Sequence, residues 1–192
     1  MIIKRNQHGV PWFGKNYDDL PPIPLINQAR AVANRPTQTA FVGNAEALTF
    51  AVNDEIHGSQ ELIHRYKEGT DIYPHVHWVS NGSEGSDKTV NWELEYTIAN
   101  ADAIAPYTSA FPATGTITGE TTIPSGTADR SHILTPLDST ISGTGIVIGA
   151  YIVFRFRRIA SSGTEPAADP FGLAIGFHVA QNTLGSRQLG AK

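Results

Sequence analysis

The chain has no cysteine and one methionine in 192 residues. Without cysteine there is no disulfide framework, no thiolate zinc site, no iron–sulfur cluster and no thiol nucleophile. Charge is scarce as well. Asp, Glu, Lys and Arg make up 17% of the chain, against about 25% in an average soluble domain, so neutral polar groups must form much of the surface. The 14 basic and 18 acidic side chains leave a net charge of −4, with no block of like charges to condense on a phosphate backbone; nucleic acid is not an expected partner. No stretch approaches the roughly 18 apolar residues of a membrane span, and residues 1–15 lack the apolar core and small-residue cleavage site of a signal peptide. Neither a membrane partner nor signal-directed export is expected.

What is abundant is turn chemistry: 18 glycines and 12 prolines set frequent reversals and leave little room for long helices. Residues 1–46 hold Pro11, Pro21, Pro22, Pro24 and Pro36 among short apolar fragments with no sustained period. They read as an extended N-terminal arm preceding a body over residues 47–192. Trp12, Phe13, Tyr17, Leu20, Ile23, Leu25 and Ile26 are too many large apolar groups for a free linker. They are expected to form an interface, either on the chain's own body or on a neighbouring subunit.

From residue 47 the period becomes two. In residues 90–98 (VNWELEYTI) every even position is apolar and every odd one polar, the pattern of a strand with one face on a core. Residues 145–158 and 171–179 repeat it, and weaker strand segments occupy 47–53, 72–80, 114–123 and 130–137. One segment, residues 59–68 (SQELIHRYKE), predicts a short helix with Ser59 as cap and Leu62, Ile63 and Tyr66 as its apolar patch. Seven or eight strands with no intervening helices imply an all-β antiparallel sandwich of jelly-roll type, with an extended arm and one short helix.

The most pointed chemical feature is Pro74-His75-Val76-His77-Trp78, whose two histidines share one face of a strand. If residues 72–80 and 89–98 pair as a hairpin, His77 stands opposite Glu93 and His75 opposite Glu95, with His178 as a further neighbour. Such a set could ligate zinc or iron. The same pattern places Val76, Trp78, Trp92, Leu94 and Tyr96 on the core side, so the histidines and glutamates fall on the outer side, where cross-strand His–Glu pairing stabilises a sheet without metal. That structural reading is preferred: no metal, no cofactor and no catalytic residue is expected. No Gly-x-Ser-x-Gly elbow surrounds a serine, and Gly143-Thr144-Gly145 lacks the lysine and helix of a phosphate loop. Asp71 reads as a turn former, and Arg155, Arg157 and Arg158 as a small basic spot on a solvated strand face. Two other functions stay open: a cupin-like metal enzyme using His75 and His77, and a carbohydrate-binding fibre or adaptor module with Trp12, Trp78 or Trp92 as platform.

Three stretches, residues 66–78 (YKEGTDIYPHVHW), residues 92–96 (WELEY) and Phe177-His178 followed by residues 184–188 (LGSRQ), resemble small virion structural proteins of tailed bacteriophages and prophages. The order and spacing of these blocks match over about residues 40–190, while the arm and residues 101–130 carry none of the resemblance. The resemblance implies a non-catalytic particle component, made in the host cytoplasm and placed on the head exterior or at the neck. A capsid decoration or cement role follows, with the major capsid protein or other virion proteins as partners. The apolar arm adds the expectation of a homo-oligomer, with a trimer the leading form.

Overall fold

Residues 88–99 form a strand because their two faces meet different surroundings. Val90, Trp92, Leu94 and Ile98 are buried in the core, while Asn91, Glu95 and Thr97 line the other side. The computed structural model describes residues 16–21, 23, 24 and 32–181. Its strands are β1 (Asn16–Asp19), β2 (Ile23–Pro24), β3 (Thr37–Val42), β4 (Ala45–Thr49), β5 (Glu55–Glu61), β6 (Ile72–Val79), β7 (Lys88–Ala99), β8 (Gly115–Ile123), β9 (His132–Pro136), β10 (Tyr151–Ile159) and β11 (Phe171–Gln181).

The strands make two antiparallel sheets. One runs β3-β4-β11-β6-β9, with β1 and β2 also bonded to β11; the other runs β5-β10-β7-β8. Counting β4 to β11 as strands one to eight, the orders are 1-8-3-6 and 2-7-4-5. Among these eight strands the chain crosses from sheet to sheet at every connection except the β7–β8 hairpin, which is the winding of a jelly roll. Between the sheets lies a single apolar core. Its centre is aromatic: Trp92 stacks on Phe156 with ring centroids 5.1 Å apart, and Phe50 and Trp78 meet Trp92 edge-on at 5.6 and 6.0 Å. The Trp78 indole N–H donates to Thr135 Oγ1 at 2.8 Å.

Several expectations need correction. Residues 59–68 are not a helix. Ser59, Gln60 and Glu61 complete β5 against Val153, Ile152 and Tyr151, and a tight turn follows in which Tyr66 N–H donates to the Ile63 carbonyl. Leu62 and Tyr66 are fully buried at the end of the sandwich. The turn puts them on one side as a helix would, while a ten-residue helix alone is too short to hold itself. β10 begins at Tyr151, not near residue 145, because Ile146 and Ile148 belong to a loop. The strand expected over residues 47–53 is β4 and ends at Thr49.

Part of the segment read as an arm belongs to a sheet. β3 and β4 form a hairpin around Gly43-Asn44, where Gly43 adopts φ of 58°. A glycine at that turn is a hairpin signal the sequence carries openly. Leu20 is fully buried in the chain's own core, its N–H bonded to the Phe177 carbonyl at 3.0 Å, and Ile23 packs against the same core. Trp12, Phe13, Leu25, Ile26, the side chain of Tyr17 and residues 184–188 lie outside the described residues.

Candidate functional site

The outer faces of the two sheets carry the polar side chains, and the jelly-roll winding decides which of them meet. β6 and β7 do not pair. His75 lies between Gly176 of β11 and Pro136 of β9, and His77 between Ala174 and Leu134, whereas Glu93 and Glu95 lie beside Arg157 and Arg155 of β10. The expected juxtaposition of His77 with Glu93 and His75 with Glu95 is therefore overturned: the imidazoles and the carboxylates belong to opposite sheets. Among the described residues no group of three or more His, Asp or Glu side chains is arranged to hold a metal ion.

On the first sheet the histidines form a row. The His178 and His75 rings are 4.3 Å apart, His75 and His77 5.1 Å, and His77 and His132 5.2 Å. His77 Nδ1 and His132 Nε2 share a hydrogen bond at 3.0 Å, which needs one protonated and one bare ring nitrogen. His75 is buried, its ring lying across Gly176. A methyl group at Gly176 would approach His75 Nε2 to 2.5 Å, so Gly176→Ala is expected to cost about 1–3 kcal/mol by overpacking. Urea denaturation checks this, and combining Gly176→Ala with His75→Ala should recover most of the loss.

On the second sheet Arg155 sits among three glutamates, at 2.6 Å from Glu95 and 3.4 Å from both Glu55 and Glu93, while Arg157 Nε donates to Glu93 at 2.5 Å. His57 Nε2 stands 3.6 Å from Glu55. A shallow hollow of about 240 Å³ opens beside them, bounded by Glu55, His57, Glu95, Thr97 and Arg155. The arginines that read as a basic spot are thus neutralised on this face, and Arg158 is not on it. Strand alternation turns Arg158 inward behind Ile152, Phe154 and Phe156. There it is 1% exposed, donating to the Phe50 carbonyl and Asp169 at 2.7 Å each and to Glu165 at 2.6 Å.

This buried cation pairs with the Glu165 and Asp169 carboxylates. Burial would push Glu165 up, but bonds from Ser161 N–H and Arg158 outweigh it and hold the group below its ordinary value of 4.5. Burial raises Asp54 despite a hydrogen bond from Ala51 N–H. A carboxyl lowered by folding contributes stability above its unfolded value, and that contribution disappears as pH falls through the folded value. Glu165→Gln is therefore expected to melt below the parent protein at about pH 7, with the gap narrowing as pH falls below about 4.5 and through the folded value. A gap unchanged over that range would contradict the assignment; paired melting curves decide it.

The bonds of Asp71 are long-range and not those of a local turn former: its carboxylate accepts from Gly143 N–H and Thr140 Oγ1 at 3.4 Å each and ties the loop before β10 to the start of β6. Of the possible carbohydrate platforms, Trp78 and Trp92 are fully buried.

The feature that sequence reading missed is the connection between β7 and β8, residues 100–114. Ile104, Tyr107 and Phe111 stand there 82%, 77% and 51% exposed. Asp102 shapes the loop, its carboxylate accepting from Thr108 N–H, Ser109 N–H and Ser109 Oγ at 2.5–2.6 Å. These bonds, that of the Ser109 hydroxyl first, hold its carboxyl below the usual range. The loop is anchored where Thr97 Oγ1 donates to the Pro112 carbonyl and Asn100 bonds to Gly145 and Val147. The visible signal is an Ala-rich stretch with Asp102 as its one charged residue and three large apolar residues.

The chain matches no protein-family description and no curated protein.

Proposed function

We propose that the protein is a structural component of a tailed-bacteriophage particle, a capsid decoration or cement protein on the head exterior or at the neck. It works by burying surface against the shell and against copies of itself, as a homo-oligomer with a trimer the leading form. The observation that carries this reading is where the exposed apolar side chains lie. Of the ten large apolar side chains exposed among the described residues, six (Ile104, Tyr107, Phe111, Val147, Tyr151 and Val153) belong to the end of the sandwich around the β7–β8 loop. Acidic and basic groups on the neighbouring sheet face engage one another in ion pairs. A surface of neutral Thr and Ala side chains with a concentrated apolar rim suits burial against protein. The resemblance of residues 66–78 and 92–96 to phage virion proteins supports the same reading.

Particles assembled with the gene deleted test it. They should lose their contents at a lower temperature than complete particles, and adding back the purified protein should restore the difference. Deleted and complete particles of equal heat resistance would overturn the cement role.

A further inference from the structure

We infer that His77 and His132 form a two-histidine site for a divalent transition-metal ion of the copper(II) and nickel(II) class, and that the ion straps the edge strand β9 to β6. The inference is independent of the proposed function. The ligand set left open by the sequence, His75 and His77 with a glutamate, does not form; this site joins His77 to a histidine that no spacing rule connects with it.

Topology brings the two rings together. β6 and β9 pair antiparallel with His77 opposite Leu134 and Val79 opposite His132, so His77 and His132 are diagonal neighbours on the outer face of the sheet, within reach of long side chains. Their ring centroids are 5.2 Å apart, and the nitrogens that converge, His77 Nδ1 and His132 Nε2, are 3.0 Å apart. On its other side His77 meets the buried His75 ring edge-on at 5.1 Å, a wall that limits its rotation and holds the donor in place.

That separation suits an ion between the two nitrogens. With metal–nitrogen bonds of about 2.0–2.1 Å, the span subtends about 95° at the ion, near the right angle between adjacent ligands of a square-planar or tetragonal centre. A tetrahedral zinc would need the nitrogens about 3.3 Å apart. Imidazole is a donor that copper and nickel accept readily. His132 is exposed and His77 half-buried, so water reaches the remaining coordination positions. Arg130, two residues before His132, has its charge engaged elsewhere: the guanidinium pairs with Asp129 at 2.7 Å and donates to Asn81 and the Phe41 carbonyl.

Without an ion, one proton lies between the two nitrogens. On binding, that proton moves to the remote nitrogen of the same ring, so each imidazole stays neutral, keeps one N–H and gives a lone pair to the ion. β9 is the last strand of its sheet, bonded there to β6 alone. An ion held by one residue from each strand needs the folded chain, and stabilises it by mass action.

The test uses the full chain without an affinity tag, titrated by calorimetry with Cu²⁺, Ni²⁺, Zn²⁺ and Mg²⁺. One ion per chain is expected, with Cu²⁺ bound tightest, Ni²⁺ and Zn²⁺ more weakly and Mg²⁺ not at all. His77→Ala and His132→Ala, shown by circular dichroism to be folded, should each weaken Cu²⁺ binding at least about tenfold, whereas His64→Ala should bind as the parent does. The electron paramagnetic resonance spectrum of bound Cu²⁺ should show two nitrogen ligands in the parent. Saturating Ni²⁺ should raise the melting temperature of the parent and leave that of His132→Ala where it is.

A parent that takes up no Cu²⁺ would overturn the inference, as would uptake unchanged by His132→Ala or abolished by His64→Ala. Binding that depends on both His77 and His132 but leaves the melting temperature of the parent unmoved would overturn the strap.

Discussion

Replacing Arg158 with alanine is expected to destabilise the fold by about 3 kcal/mol, at the lower end of the cost of breaking a buried ion pair. Glu165 and Asp169 are respectively 33% and 49% exposed and recover water once the guanidinium is gone, which moderates the loss. The Phe50 carbonyl and the space filled by the arginine stem do not recover. That carbonyl loses its bonded donor, and an unsatisfied buried acceptor costs about 1–3 kcal/mol. Arg158→Lys should restore less than half of the difference, because an ammonium cannot reproduce the fork that reaches Asp169 and Glu165 together. Chemical denaturation of the three proteins measures this. Equal stability of parent and alanine variant would show that Arg158 merely occupies space.

The second large effect is expected at Trp92. Its ring stacks on Phe156 and is met edge-on by Phe50 and Trp78, and it is fully buried. Trp92→Ala should cost about 3–5 kcal/mol through lost burial and the cavity left behind. Trp92→Phe should cost well under half of that. It keeps a ring in the stack, and it removes an indole N–H that has no acceptor among the described residues. If the two variants were equally unstable, packing around that site would depend on indole shape and not on aromatic contact.

Both residues show what the sequence made readable. Trp92 sits in a strand whose sequence alternation is unbroken from Val90 to Ile98, and the core-facing side follows that parity, although Glu93 on the outer face is buried as well, under Arg155 and Arg157. Arg158 obeys the same parity, two positions beyond Phe156. Two neighbouring arginines suggested a common face, although strand geometry sends Arg157 and Arg158 to opposite ones. Where the fold departs from strict alternation, parity fails. A bulge between Gly172 and Ala174 shifts the register of β11 and pairs Phe171 with Val79. Neither residue belongs to the inter-sheet core. Phe171 is covered by the Phe41 ring at 5.1 Å and by the Arg130 guanidinium at 4.6 Å.

The histidine–glutamate register failed for a topological reason. Matching faces across the loop at residues 81–88 assumes that consecutive strands pair, yet among the eight body strands β7 and β8 alone are neighbours in both chain and sheet. Parity placed His75, His77, Glu93 and Glu95 on outward faces; it could not say that the faces belong to different sheets. The helix expected at residues 59–68 failed because a buried turn imitates helical spacing over a single repeat. The apolar loop at residues 100–114 has no period at all. Its internal order comes from the bonds that Asp102 accepts from Thr108 and Ser109, and these join residues no spacing rule connects.

The central claim is that this sandwich is a particle component whose work is packing. Quantitative mass spectrometry of purified particles from a host strain carrying the gene tests it most directly. The account predicts the protein in every particle preparation, at a fixed ratio to the major capsid protein that does not change through successive density gradients. Its absence from particles, or a ratio that falls with each purification step, would contradict the account.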